Sequence, residues 1–157
     1  MKTPPIGLGT QLRRLLALLD TGVQRTYDEH RVPFQPRFYP IARRLLSGGP
    51  ASVGEIAKDV GVSQPAITQS LDRMQASGLI KPEPSADHRA RRVGLTEQGV
   101  ALAVQLKEIW AATHEAADAL DRELPNALSE TIDRAIARLE ARSFDERIAA
   151  AFEEKRK

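Results

Sequence analysis

"SVGEIAKDVGVSQPAITQSLDRMQASGLI", residues 52–80, reads as two short helices joined by a tight turn. Ser52 and Glu55 have the spacing of a capping box, in which each side chain satisfies a backbone N–H near the other. A helix therefore opens here and runs to about Val60, and Gly61 ends it. Ser63 stands as the next N-cap, with Pro65 in the first turn, where a missing N–H costs little. That second helix reaches about Ser77, and Gly78 stops it. Ile56, Val60, Val62, Ile67, Leu71 and Met74 recur at the spacing of a shared core, and small Ala57 lets the helices approach. Two helices around such a turn form a helix-turn-helix; an ordinary helical hairpin is the plainer alternative.

The next stretch favours the former. "SADHRARRVGLT", residues 85–96, concentrates cations between two strand-like runs, Leu79 to Glu83 and Arg91 to Leu95. Pro82 and Pro84 suit the first run to a sheet edge. A ribbon with a basic tip after a recognition-type helix is a winged helix. It would hold Arg89, Arg91 and Arg92 out from the core, where guanidinium groups suit phosphates and a narrow minor groove. Asp87, two residues from Arg89, can orient that guanidinium or brace the turn. A merely solvated charged hairpin is the alternative.

Helices flank this module. Upstream, Leu8, Leu12, Leu15, Leu19, Val23 and Tyr27 keep a helical period. Pro33, Pro36 and Pro40 interrupt it, and a second helix is expected from near Pro36 to Ser47, with Pro40 awkward inside it. Downstream, Thr96 caps a helix reaching Leu124-Pro125, about 40 Å long at ~1.5 Å per residue. Its apolar positions, Leu102, Leu106, Ile109, Thr113, Ala116, Leu120 and Leu124, approach a heptad seam. Another helix carries Leu128, Ile132, Ala135 and Leu139, and a last one opens at a second capping box, Ser143 to Glu146. The expected class is mainly α with a small two- or three-stranded wing, organised as 1–34, an N-terminal helix; 35–96, the winged helix-turn-helix; and 97–157, C-terminal helices, the two flanking regions being candidates for dimerisation because their apolar stripes exceed what the module can cover.

Composition narrows the function. The 157 residues carry 23 basic and 21 acidic side chains, a net charge of +2, so nucleic-acid binding must rest on local clustering. With no cysteine, disulfides and thiolate chemistry are excluded. His30, His88 and His114 have no metal-ligand spacing. No Gly-rich phosphate loop or nucleophile elbow points to an enzyme. The longest early apolar run, Leu15 to Leu19, is too short for a signal peptide or a membrane span, so a cytoplasmic protein without membrane association is expected.

At this point the chain resembles the MarR family of bacterial transcription regulators. The likeness rests on "EIAKDVGVSQPAITQSLDRMQASGLI", on D-x-R at Asp87 and Arg89, and on V-x-L-T-x-x-G at Val93, Leu95, Thr96 and Gly99. The family order of elements fits from about residue 8 to 142, and the helix from Ser143 would be a local elaboration. The resemblance implies a homodimer built on the first and last helices, a pseudo-palindromic operator, and often release by a small molecule.

With Ile67, Leu71 and Met74 inward, Pro65, Gln69, Asp72 and Ala76 point outward, and Thr68 and Arg73 lie on the flanks. Gln64, Pro65, Thr68 and Gln69 lie nearest the end that enters a major groove. Gln can pair with adenine, and Thr or Pro can touch a thymine methyl. Arg73 would meet phosphate, and Ser63 acts chiefly as a cap that can also bond phosphate. The expected DNA-binding set is thus Ser63, Gln64, Pro65, Thr68, Gln69, Arg73, Asp87, Arg89, Arg91 and Arg92.

Tyr27, Phe34, Phe38 and Tyr39 fall within thirteen residues, with His30, Arg31 and Arg37 among them; Trp110 and His114 stand one turn apart on the long helix. Tyr27, His30, Arg31, Phe34, Phe38, Trp110 and His114 either wall a cleft for an aromatic or anionic effector, or cement the helix junction. No cofactor is expected. The three long apolar stripes exceed what a module of about sixty residues can cover, which points to a homodimer on double-stranded DNA with an inverted-repeat operator. A repressor relieved by a small ligand is the leading expectation; a winged-helix module that docks a protein without DNA is the alternative.

Overall fold

A computed structural model describes residues 6–85 and 90–156. The chain falls into two compact units, Met1–Trp110 and Ala111–Lys157. In the first, α1 (Leu8–Glu29) is followed by a 3-10 turn, Pro36–Phe38, and by α2 (Tyr39–Gly48). Strand β1 (Ala51–Ser52), helices α3 (Val53–Val60) and α4 (Gln64–Ala76), and strands β2 (Ile80–Pro82) and β3 (Arg92–Leu95) complete the module. Helix α5 (Glu97–Glu123) gives its first half to this unit and its second half to the other, which also holds α6 (Leu128–Ala141) and α7 (Phe144–Glu154). The protein is mainly α with a three-stranded antiparallel sheet, a winged helix-turn-helix.

Local chemistry sets the boundaries. The Ser52 hydroxyl accepts the Glu55 N–H at 3.2 Å, and the Glu55 carboxylate accepts the Ser52 N–H at 2.7 Å. Gly61 and Gly78 take left-handed backbone, φ 72° and 71°, where a side chain is strained. Thr96 caps α5: its oxygen accepts the Gly99 N–H at 3.0 Å and its hydroxyl donates to the Gly78 carbonyl at 2.6 Å. Two expectations shift here. The helix expected from Pro36 starts at Tyr39 after the 3-10 turn, so Pro40 lies in its first turn, where proline is tolerated. Ser63 occupies the N-cap position of α4, but its side chain makes no cap hydrogen bond.

The sheet order is β1–β3–β2, with Ala51 and Pro82 both facing Val93 across the ladders. Pro82 therefore sits on an edge strand, where its missing N–H leaves no central bond broken. Ile56, Ile67, Leu71, Met74 and Val93 are at most 2% exposed and form the centre of the core. Each such side chain stabilises the fold by about 1.5–3 kcal/mol through burial. Val62, expected in this core, is 43% exposed, because the turn after Gly61 carries it outward. Leu102, Leu106 and Ile109 of α5 join the core.

The apolar stripes are not fully covered. On α1, Leu8, Leu12, Leu16 and Leu19 are exposed, and only Tyr27 is buried. In the second unit, neither α6 nor α7 buries a residue, and Ile136, Leu139, Phe144 and Phe152 stand exposed. Asp121 secures the start of α6: it accepts the N–H groups of Leu128 and Ser129 at 2.8 and 3.2 Å, together with the Ser129 hydroxyl. The Ser129 hydroxyl bond is the main reason its carboxyl sits below the ordinary aspartate range. Among the described residues, no helix is long and apolar enough to cross a membrane.

Candidate nucleic-acid interface

Helix α4 buries one face and leaves the other open. Ile67, Ser70, Leu71 and Met74 are buried, while Gln64, Pro65, Gln69, Asp72, Arg73 and Ala76 are exposed and Thr68 is half-buried. Ser63 is exposed at its N-terminus with its hydroxyl unused as a cap. The orphan N–H groups of this first turn, with the helix dipole, favour an anion. The expected reading residues thus share one accessible end.

The arginines after the loop behave differently from expectation. The Arg91 guanidinium forks onto the recognition helix, donating to Asp72 at 2.6 Å and to the Gln75 side-chain oxygen at 2.9 Å. Arg92 donates to Glu55 at 3.2 Å and also to the Pro50 carbonyl. Neither is held free of the body; both are half-buried and already paired with a carboxylate. Opposite charges on α3 and α4 draw them back, and a forked guanidinium bond fixes the angle as well as the distance. Asp87 and Arg89 lie outside the described residues. Glu55 serves twice, as cap and as partner of Arg92. Its carboxyl is held below the ordinary range chiefly by the backbone N–H of Ser52, then by the Ser52 hydroxyl, with Arg92 and Arg44 adding to it.

The aromatic junction is closed. Tyr27, Phe34 and Phe38 are 1%, 4% and 2% exposed. Phe34 meets Tyr27 and Phe38 edge-to-face at 5.5 and 5.7 Å, and Tyr39 meets Trp110 at 5.0 Å. Trp110 Nε1 donates to the Tyr27 hydroxyl at 3.1 Å. Burial pushes the Tyr27 phenol up, against the smaller pull of that bond, so it stays neutral. Tyr27, Phe34 and Phe38 are therefore core residues and not cleft walls: edge-to-face packing has filled the space a ring-shaped ligand would need. His30 and Arg31 end α1 on the outside. Arg31 takes φ 55°, and the Val32 N–H closes back on the Tyr27 carbonyl at 2.9 Å, which sends Val32 inward and leaves both cations exposed. His114, on the second unit, is exposed as well.

A cleft of about 590 Å³ does exist, lined by α1, residues 35–37 and Arg73 of α4. None of its walls is aromatic. Sequence reasoning missed it, as it missed Asp72, Gln75 and Glu55 as arginine partners. Helical spacing points Asp72 outward, but its pairing depends on the path of the wing. Among the described residues, no cluster of histidines and carboxylates could hold a metal ion.

Residues 39–100, from α2 through the start of α5, match a family model described as "MarR family". Over these residues the chain is similar to the MarR family. Known structures extend the likeness in fold beyond it. The M. tuberculosis transcriptional regulator MOSR, solved in complex with DNA, superposes with a TM-score of 0.68 at 19% identity, over 93% of this chain and 98% of its own. NadR, solved in complex with 4-hydroxyphenylacetate, gives 0.60 at 21% identity, over 88% and 96%. The transcriptional repressor CouR, bound to a 23-mer DNA duplex, gives 0.59 at 24% identity, over 86% and 91%. The MarR-family segment contains the whole helix-turn-helix and all three strands of the wing sheet.

Proposed function

We propose that the protein is a sequence-specific DNA-binding transcription regulator. It works as a homodimer on an inverted-repeat duplex, represses until a small molecule releases it, catalyses no reaction and resides in the cytoplasm. The observation that carries this reading is the α4 surface: a row of polar side chains at an accessible helix N-terminus, on a helix whose opposite face is locked into the core of a MarR-family winged helix. Gln64, Pro65, Thr68 and Gln69 read base edges, Ser63 and Arg73 meet phosphate, and Arg89 of the Asp87-x-Arg89 motif serves the minor groove. Arg91 and Arg92 act mainly by holding the wing in place. The DNA-bound states of MOSR and CouR, the repressor role of CouR and the ligand of NadR support this reading by analogy.

The uncovered leucines of α1 and the apolar faces of α6 and α7 support the dimer, since a second copy covers them without a new partner. A two-fold pair sets two recognition helices about 34 Å apart, hence half-sites spaced by ~10 base pairs. Selection of bound fragments from native genomic DNA, followed by fluorescence anisotropy against salt, tests the whole reading. An inverted repeat whose affinity falls steeply with salt is expected. A protein that retains no duplex, yet captures a polypeptide partner, would instead be a protein-docking winged helix. Deleting residues 126–157 should cost dimerisation and operator binding together; a monomer in sedimentation that still binds its site tightly as one copy would overturn the dimer.

A further inference from the structure

The recognition helix has a different neighbour on each flank. On one side, Asp72 and Gln75 take Arg91 from the wing. On the other, Arg73 reaches the open cleft of about 590 Å³ beside α1. Thr21, Gln24, Arg25 and Asp28 recur there at three- and four-residue spacing, so one face of α1 forms a wall. Gln24 is fixed in place, donating to Asp28 at 2.9 Å and to the Phe34 carbonyl at 3.2 Å. The size falls within the range of small-molecule sites.

The charge pattern of this cleft is its informative feature. Arg25, Arg37 and Arg73 all line it. Among the described residues, none of the three has a carboxylate within ion-pair distance, whereas Arg44, Arg91 and Arg92 of the same unit are each paired. Three like charges converging on one concavity repel one another, and an anion between them removes that repulsion. Guanidinium groups also match the oxygens of phosphate or carboxylate. Two acids, Asp20 and Asp28, share the lining. They would repel a DNA strand but accept hydrogen bonds from hydroxyl groups. The absence of an aromatic wall weighs against a flat aromatic acid.

We propose that this cleft binds a small hydroxylated dianion, a phosphomonoester or a hydroxy-dicarboxylate, with its charge among Arg25, Arg37 and Arg73 and its hydroxyls on Asp20 and Asp28. Arg73 then serves two masters: bound to the dianion, it is withdrawn from the DNA backbone, so occupancy weakens the grip on DNA. This rests on the regulator reading for its consequence, though not for binding itself.

Calorimetric titration of the full chain without DNA decides the site. The probes are glucose 6-phosphate, malate, inorganic phosphate and salicylate. Glucose 6-phosphate or malate should bind at least roughly tenfold tighter than inorganic phosphate, and Arg37→Gln should weaken that binding by roughly tenfold, the loss of one charged hydrogen bond. Which of the two binds tighter separates phosphomonoester from dicarboxylate. Arg25→Gln provides a second variant should the first fold poorly. In a separate anisotropy assay, the tighter anion should release bound duplex from the parent. Arg37→Gln should hold duplex as the parent does but need roughly tenfold more anion to let go. The proposal falls if inorganic phosphate or salicylate binds as well as the two hydroxylated anions, or if both variants titrate like the parent. It also falls if Arg37→Gln lowers duplex affinity and salt dependence, which would make the cleft a DNA contact. A parent that binds no duplex at all would remove the regulator reading and the release step, while the titration still decides the site.

Discussion

Gly99, the third residue of α5, offers a substitution whose sign separates two physical arguments. Helix propensity says that alanine should be better, by up to ~1 kcal/mol. Packing says the reverse. A Cβ on Gly99 would lie 2.1 Å from the Leu79 carbonyl oxygen, 3.1 Å from its carbon and 3.2 Å from Leu95 Cδ2. To reach the 3.0 Å that real Cβ contacts respect, α5 and the Leu79 backbone just before β2 must separate by about 0.9 Å, and the obstacle is backbone, which cannot rotate aside. The same oxygen accepts the Thr96 N–H at 3.0 Å, so the retreat also stretches a bond that ties the wing to the start of α5. Overpacking of this kind costs about 1–3 kcal/mol and a weakened hydrogen bond adds ~1 kcal/mol.

Gly99→Ala should therefore destabilise by about 1–3 kcal/mol after the propensity gain is subtracted. Urea unfolding followed by circular dichroism, at one fixed protein concentration, should show a midpoint lowered by roughly 0.5–1.5 M with an unchanged slope. Gly22→Ala is the matched control: it lies inside α1 with nothing within 4 Å of the added carbon, and should raise stability by ~0.5–1 kcal/mol. A Gly99→Ala protein as stable as its parent would refute the close approach of α5 to the Leu79 backbone.

Other perturbations test the reading surface and the helix caps. Gln69→Ala should change which sequences bind best, by ~1–3 kcal/mol at one base pair, and a uniform loss across sequences in a binding selection would reassign Gln69 to the backbone. The capping carboxylate of Glu55 is held below the ordinary glutamate value of 4.5, so its contribution is complete at neutral pH and fades as pH falls through the depressed value. Urea midpoints at pH 7 and pH 3 should accordingly diverge more for the parent than for Glu55→Gln; equal divergence would remove Glu55 from the acid response. Asp121→Ala strips the N–H acceptors from the start of α6, and amide exchange at Leu128 and Ser129 should accelerate, which unchanged protection would contradict.

The elements legible in sequence were those set by neighbouring residues. Both capping boxes, the left-handed glycines 61 and 78 and the Thr96 cap act within a few positions, so spacing alone reveals them. Strand β1 was not legible as an element. Ala51 and Ser52 show no alternation, and their partners Val93 and Arg92 lie about forty residues on. The 3-10 turn at Pro36 hid for a related reason, since three prolines mark a break without saying where the chain resumes. At the junction, composition brought the right aromatics together but could not separate a wall from a core. That depends on whether the rings fill their own cavity, and Phe34 does so by packing on Tyr27, Phe38 and Trp110 at once.

The wing arginines show the same limit in electrostatics, with a measurable consequence. A count of cations assigns the wing Arg89, Arg91 and Arg92 as free charges, each able to release a counterion from DNA. Arg91 and Arg92 are already neutralised by Asp72 and Glu55, so engaging phosphate would first break an existing pair. Arg73 has no such partner among the described residues and faces no such cost. Each unencumbered phosphate contact contributes about 0.9 to the slope of log affinity against log salt. Arg73→Ala should therefore flatten that slope by close to ~0.9, whereas Arg91→Ala should flatten it by much less. Arg91→Ala should still weaken binding, because it frees the wing and uncovers Asp72 beside the DNA. Adding Asp72→Ala to Arg91→Ala should then restore part of the affinity. If Arg91→Ala flattens the slope as much as Arg73→Ala, then Arg91 leaves Asp72 to bind phosphate and the latch between wing and recognition helix does not survive DNA binding.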